Sequence, residues 1–141
     1  MPNAYSVSGK SAGDQISSSD EGRYLTFFES ELTHPVHDPV DVLVHKGDPV
    51  LVGDVIVGVA LKTAKATTDL IAIDTEGVWV LEADATDFMG GAIVVGDAIY
   101  AIPSSVVLNN ISAGTRFGYA LTGLTFGGTG NIIIKVHCGG K

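Results

Sequence analysis

The sequence has little cysteine and little positive charge, and each shortage excludes a class of protein. Cys138 is the one cysteine, so an intramolecular disulfide framework of the kind that staples small secreted domains is excluded. Eight basic residues stand against sixteen acidic residues, and the formal net charge of -8 would repel a phosphate backbone. We therefore expect no nucleic acid partner.

Long apolar runs are also missing. No stretch approaches the length that a membrane-spanning helix needs, and the N-terminus lacks the apolar core of a signal peptide. We therefore expect a soluble chain with no membrane partner, made in a cytoplasm and not exported by that route.

What is present favours strands joined by tight turns. The 141 residues are enough for one domain, with 45% hydrophobic residues, 18 glycines and many Val, Ile and Thr residues. Alternation predicts strands at Val40–Val44, around Trp79, which should be at least partly buried, and at the C-terminus, where Ile132, Ile134, Val136 and Cys138 share a face. The fold class predicted is all-β, a small β-sandwich or barrel-like domain with an extended N-terminal arm.

The arm is predicted to span residues 1–34 and the β-domain residues 35–141. Its first part is rich in Ser, Gly and Asp without periodicity, which predicts a flexible segment. Its end concentrates apolar side chains that either cover the chain's own core or bind a partner, and the candidate partner-binding residues are Tyr24, Leu25, Phe27, Phe28 and Leu32.

Short words recur along the β-domain. "VGDVI" at 52–56 returns as "VGDAI" at 95–99, and "GVAL" at 58–61 returns as "GYAL" at 118–121. Their spacing is uneven, so we interpret them as reused turn-and-strand patterns, in which Gly allows a positive φ and Asp binds its own turn. Gly58 and Gly118, inside strands, are predicted to mark bulges or close backbone approach.

No pattern indicates a catalytic, cofactor or metal site. Asp48, Asp54 and Asp97 lack the ligand spacing of a calcium loop and are interpreted as turn residues. The histidines and the cysteine lack zinc-type spacing and are interpreted as solvated or strand-edge residues; they are His34, His37, His45, His137 and Cys138. We therefore predict no catalytic residues, no bound metal and no cofactor.

An ordered series of motifs resembles a known family. "GDPVLVGDVIVGVALKTA", "IAIDTEGVWVLEA", "VVGDAIYAI", "NNISAGTRFGYALTG" and "GGTGNIIIKVH" look like the β-domain of tailed-bacteriophage capsid decoration (cement) proteins, over about residues 39–137. The resemblance implies a structural protein, not an enzyme, that binds the major capsid protein shell on the outside of an expanded head. It also implies a homo-oligomer, commonly a trimer, located in the virion.

Two other interpretations remain open. "KGDPVLVGDVI" followed by "AKA" resembles the lipoyl and biotinyl carrier domains, in which Lys65 would be the modified lysine. The chain lacks the acidic residue or the methionines that flank that lysine in those domains. A phage tail or fibre module is the other alternative.

Overall fold

The computed structural model describes residues 23–87 and 89–138, and it is built of strands. Their bounds are β1 (Tyr24–Phe28), β2 (Pro49–Val52), β3 (Ile56–Ala60), β4 (Leu70–Asp74), β5 (Val78–Asp84), β6 (Ala98–Ala101), β7 (Leu108–Asn109), β8 (Thr115–Ala120) and β9 (Thr129–Val136). One turn of 3-10 helix, Glu29–Glu31, follows β1. No helix in the described ranges is long and apolar enough to cross a membrane.

The strands form two antiparallel sheets, and the predicted all-β class is confirmed. The first sheet has the order β1-β4-β3-β2, and the second has the order β5-β9-β8-β6-β7. Apart from β7, the two sheets are connected in the same way, because in each the order is first, fourth, third and second strand along the chain. The domain therefore contains two copies of one four-stranded arrangement.

The hydrogen bonds match as well as the order. In the first sheet Gly47 donates to the carbonyl of Ala60 at 2.8 Å, and in the second Gly96 donates to the carbonyl of Ala120 at 2.8 Å. Pairing is equivalent too, since Val50 lies opposite Gly58 and Ile99 lies opposite Gly118. Residues can therefore be compared position by position between the sheets.

This comparison corrects one of the sequence-based pairings. "GVAL" and "GYAL" do occupy equivalent strands, β3 and β8. "VGDAI" at 95–99, however, corresponds to residues 46–50, since Gly47 and Gly96 begin the equivalent turns, whereas "VGDVI" at 52–56 forms the hairpin between β2 and β3. The prediction that Asp binds its own turn is confirmed at Asp48 and Asp97, whose carboxylates accept the backbone N–H three residues earlier.

The core consists of two apolar clusters, of which the larger joins the two sheets. The smaller lies on one face of the first sheet and contains Phe27, Leu32, Val44, Val50, Ala60, Ala64, Ile71 and Ile73. The larger is built on the inner face of the second sheet, and the opposite face of the first sheet completes it through Leu51, Val57 and Val59. One sheet thus covers the core of the other.

Two of the strand predictions are confirmed and one is wrong. Ile132, Ile134 and Val136 are buried on one face of β9, and Trp79 packs half-buried against the larger cluster. No strand forms over Val40–Val44. Asp38 accepts the backbone N–H of Val40 at 2.8 Å, so side chain to backbone bonds shape this segment as a loop instead of a ladder.

The predicted arm boundary also differs from the structure. Residues 24–32 belong to the first sheet and to the turn after it, because β1 pairs with β4 along its whole length, from Tyr24 opposite Asp74 to Phe28 opposite Leu70. The pairing partner is more than forty residues away in sequence, so local composition does not reveal it. The flexible segment predicted for residues 1–22 lies outside the described residues.

Gly118 lies where β8 and β9 approach closely, as predicted. A Cβ at this position would be 2.1 Å from the carbonyl oxygen of Lys135, and the equivalent Gly58 would place one 3.0 Å from the carbonyl oxygen of Asp74. A β-bulge in β8 lies next to Gly118, because Ile99 pairs with Gly118 but the next residue, Tyr100, pairs with Arg116. Phe117 is the extra residue, and its side chain is fully buried.

We expect Gly118→Ala to lower the free energy of unfolding by at least about 1–3 kcal/mol, because the added methyl must push two backbones apart. Gly128→Ala is the control, since a Cβ there meets nothing within 4 Å, and we expect it to change stability by less than about 0.5 kcal/mol. Urea unfolding of both variants measures the difference. A loss of unfolding free energy for Gly118→Ala as small as that for Gly128→Ala would show that β8 and β9 can move apart without penalty.

Candidate functional site

The five predicted partner-binding residues are distributed between the core and the surface. Phe27 and Leu32 are buried in the smaller cluster, and Leu25 packs against it. Phe28 is half-buried, whereas Tyr24 is 47% exposed. The structure therefore brings β1 into the fold, and Tyr24 offers the largest accessible surface of the five. A binding role for these residues stays a prediction.

A buried carboxylate joins the two halves of the chain. Asp74 ends β4, and Arg23 donates to both of its oxygens at 2.8 and 2.9 Å. Its Oδ1 also accepts the backbone N–H groups of Glu76 and Gly77, and its Oδ2 accepts the indole N–H of Trp79 at 3.1 Å. The carboxylate thus connects the residue before β1, the turn after β4 and strand β5.

These donors control the ionisation of Asp74. Burial favours the neutral acid, but the hydrogen bonds from Arg23, Glu76 and Trp79 outweigh burial and lower the pKa of Asp74 from 3.8 to about 2. Asp74 is therefore ionised at neutral pH. Because every donor belongs to the protein itself, the network stabilises the fold instead of exposing a reactive group.

Histidine–carboxylate pairs hold the loop between the 3-10 turn and β2. His34 Nε2 lies 2.7 Å from a carboxylate oxygen of the buried Glu29, which also accepts the backbone N–H of Val44. His37 contacts Asp48 at 2.7 Å. His45 contacts Asp41 at 2.5 Å, and this hydrogen bond lowers the pKa of Asp41.

The sequence did not indicate these pairs, because their members are 4 to 11 residues apart with no common spacing. The rings of His37 and His45 also stack, with centroids 4.0 Å apart. Each of these three histidines engages its own carboxylate. Within residues 23–87 and 89–138, no group of three or more His, Cys, Asp or Glu side chains could hold a metal ion.

A third feature is a cluster of Tyr100, Arg116 and Tyr119 on the outer face of the second sheet. The guanidinium carbon of Arg116 lies 4.6 Å from the ring centroid of Tyr119 and 5.8 Å from that of Tyr100. The bulge in β8 places Arg116 opposite Tyr100. Sequence reasoning missed this cluster, since a bulge cannot be located from the alternation of a short strand.

Arg116 has no anionic partner among the described residues. The ion pairs there involve Arg23, Lys135 and the four histidines. The Nε atom of Arg116 is buried and has no hydrogen-bond acceptor. Two aromatic rings therefore hold the guanidinium in place, and the guanidinium retains hydrogen-bond donors that no acceptor of the described chain uses.

A comparison with protein-family models identifies the chain. The model described as "Phage cement protein" matches residues 31–136, which includes eight of the nine strands. The chain belongs to the phage cement protein family. No curated protein and no solved structure matches it.

Family membership confirms the resemblance seen in the motifs. A phage cement protein is a structural protein of the virion that binds the capsid shell. The carrier-domain alternative requires a covalent modification of Lys65. In this cement protein Lys65 is an exposed residue of the β3–β4 connection, so the modification state of this lysine can be tested directly.

We expect the purified cement protein to carry no covalent group on Lys65, because the flanking residues of a carrier hairpin are missing. Intact-mass spectrometry of protein produced in cells that make lipoyl and biotinyl enzymes tests this. The expected mass is that of the sequence, with or without the initiator methionine. An increment on Lys65 that matches lipoyl or biotinyl would favour the carrier interpretation.

Proposed function

We propose that this cement protein attaches as a homotrimer to the outer surface of the expanded phage head and stabilises it against internal pressure. The observation that carries the proposal is the family match, which extends across both sheets. In this proposal the protein is made in the host cytoplasm and acts without catalysis, cofactor or nucleic acid.

Two properties of the chain support a structural role. Its charge of -8 opposes contact with packaged DNA, which supports a protein partner. Its two most buried carboxylates, Asp74 and Glu29, are engaged by donors of the same chain. A rigid domain whose buried carboxylates are satisfied internally suits reinforcement, because a surface that is already ordered loses little conformational entropy when it binds the shell.

The test uses heads assembled without this protein, in the unexpanded and the expanded state. Co-sedimentation should show binding to expanded heads and little binding to unexpanded heads. Light scattering of the free protein should give three times the chain mass. Heads with the protein bound should withstand a higher temperature before they release DNA.

Other outcomes point elsewhere. Binding to neither state of the head would overturn the proposal. Electron microscopy with a labelled protein distinguishes the tail or fibre alternative, which places label on the tail instead of the head.

A further inference from the structure

The tyrosine–arginine cluster of the second sheet occupies positions that are buried in the first sheet. Leu51 follows Val50 as Tyr100 follows Ile99, and Val59 follows Gly58 as Tyr119 follows Gly118, in the equivalent paired strands. Leu51 and Val59 have no exposed surface, because the second sheet covers them. The same face of the second sheet is covered by no part of the described chain.

The replacement of aliphatic residues by tyrosines fits an open face that is intermittently covered. Leu51 and Val59 pack in a permanent core, whereas Tyr100 and Tyr119 have a polar end that tolerates water. Both tyrosines are half-buried. Tyrosine and arginine are also the side chains that most often dominate the binding energy of protein interfaces.

Apolar side chains extend this face beyond the cluster. Leu121 is 44% exposed, Ile133 is 37% exposed and Val80 is 61% exposed. They are neighbours on the sheet, since Val80 pairs with Ile133 and Leu121 donates its N–H to the carbonyl of Ile133. We call this surface, formed by Tyr100, Arg116, Tyr119, Leu121, Ile133 and Val80, the open face.

Arg116 defines the chemistry of the partner. Its guanidinium is unpaired within the described chain although acidic residues outnumber basic ones two to one. A buried donor without an acceptor is unfavourable, and a carboxylate from outside would satisfy the planar donor fork of arginine. The net charge of -8 would repel a phosphate polymer, so a carboxylate on a protein surface is the better partner for Arg116.

We propose that the open face docks on a capsid protein subunit, with Arg116 receiving a carboxylate from that subunit and the surrounding tyrosines and aliphatic side chains packing around the ion pair. This proposal rests on the proposed function and adds the contact surface to it. The face carries Arg116 as its unpaired cation, because the neighbouring Lys135, opposite Tyr119, is already engaged by Glu76. This charge is complementary to an acidic side chain in an apolar patch of the shell.

The test compares binding of five full-length proteins to expanded heads made without the cement protein: the parent, Arg116→Glu, Arg116→Lys, Lys62→Glu and Tyr119→Leu. Lys62 is an exposed cation on the β3–β4 connection of the first sheet, so its reversal makes the same change in net charge. We expect Arg116→Glu to bind at least tenfold more weakly and Arg116→Lys to bind with intermediate affinity, while Lys62→Glu binds like the parent. Tyr119→Leu, which keeps the face apolar but removes the ring over Arg116, should also weaken binding.

Each outcome has one reading, provided thermal unfolding and light scattering are measured for every variant. Failure of the parent to bind expanded heads would overturn the proposed function. Parent-like binding by Arg116→Glu and Tyr119→Leu would overturn the open face as the shell contact while leaving the proposed function intact. Dissociation of the free oligomer by Arg116→Glu would overturn the assignment by showing that the carboxylate comes from a second copy of this chain.

Discussion

A chain that begins at His34 is expected to be unfolded under conditions in which the full chain is folded. The deletion removes β1, so that β4 loses its partner strand. It also removes Phe27 and Leu32 from the smaller cluster. Loss of these two side chains alone costs about 5–10 kcal/mol, which is comparable with the whole stability of a domain.

A chain that begins at Arg23 is the control, because it keeps β1 and the salt bridge to Asp74. We expect this chain to unfold cooperatively in urea, since the segment removed is the one whose composition predicts no core contribution. Circular dichroism and urea unfolding are measured for both truncated chains. Cooperative unfolding of the His34 chain with parent-like stability would show that β1 is dispensable and would restore the predicted boundary at residue 34.

Asp74→Ala should destabilise the fold strongly. It removes the carboxylate that accepts hydrogen bonds from the guanidinium of Arg23, the indole N–H of Trp79 and two backbone N–H groups. Breaking a fully buried ion pair costs about 3–5 kcal/mol, and because the Arg23 side chain is 35% exposed we expect a loss near the lower end of that range. Chemical unfolding measures the loss. Asp54→Ala is the matched control, since Asp54 is exposed in the β2–β3 hairpin, and it should change stability by less than about 0.5 kcal/mol.

The same carboxylate should contribute to acid sensitivity. The pKa of Asp74 is lowered from 3.8 to about 2 in the folded protein, so its contribution is fully present above about pH 4 and is lost as the pH falls toward 2. The shift corresponds to about 2 kcal/mol. Between pH 5 and pH 2, the parent should therefore lose about 2 kcal/mol more stability than Asp74→Ala. Parallel pH profiles would mean that Asp74 ionises alike in the folded and unfolded chain.

Several features of the fold could be predicted because their causes are local. The burial of Ile132, Ile134 and Val136 follows from the two-residue period of a strand, whichever strand pairs with it. The turns at Gly47 and Gly96 follow from glycine's tolerance of φ +92° and +93° and from the short side chain of the next Asp. These signals need only neighbours in sequence.

The candidate contact surface could not be predicted in the same way. Tyr100 and Arg116 meet because of a bulge in β8, and the bulge depends on how β6 and β8 pair. The loop around Val40 looks like a strand in sequence because its valines alternate, but Asp38 binds its backbone and prevents a ladder. Competition between side chain and backbone partners decides such cases, and only the assembled structure contains all the partners.

The sequence by itself determined the all-β class, the turn positions, the acidic surface and the family, since strand alternation, turn chemistry, charge and ordered motifs are all properties of residues and their near neighbours. Tertiary structure decided that β1 belongs to the first sheet, that Asp74 binds Arg23 across 51 residues, and that the two sheets repeat one arrangement. It also decided that Leu51 is covered while Tyr100 is open. The reason is that burial of a strand's second face depends on which sheet packs against it, and that packing joins residues far apart in the chain.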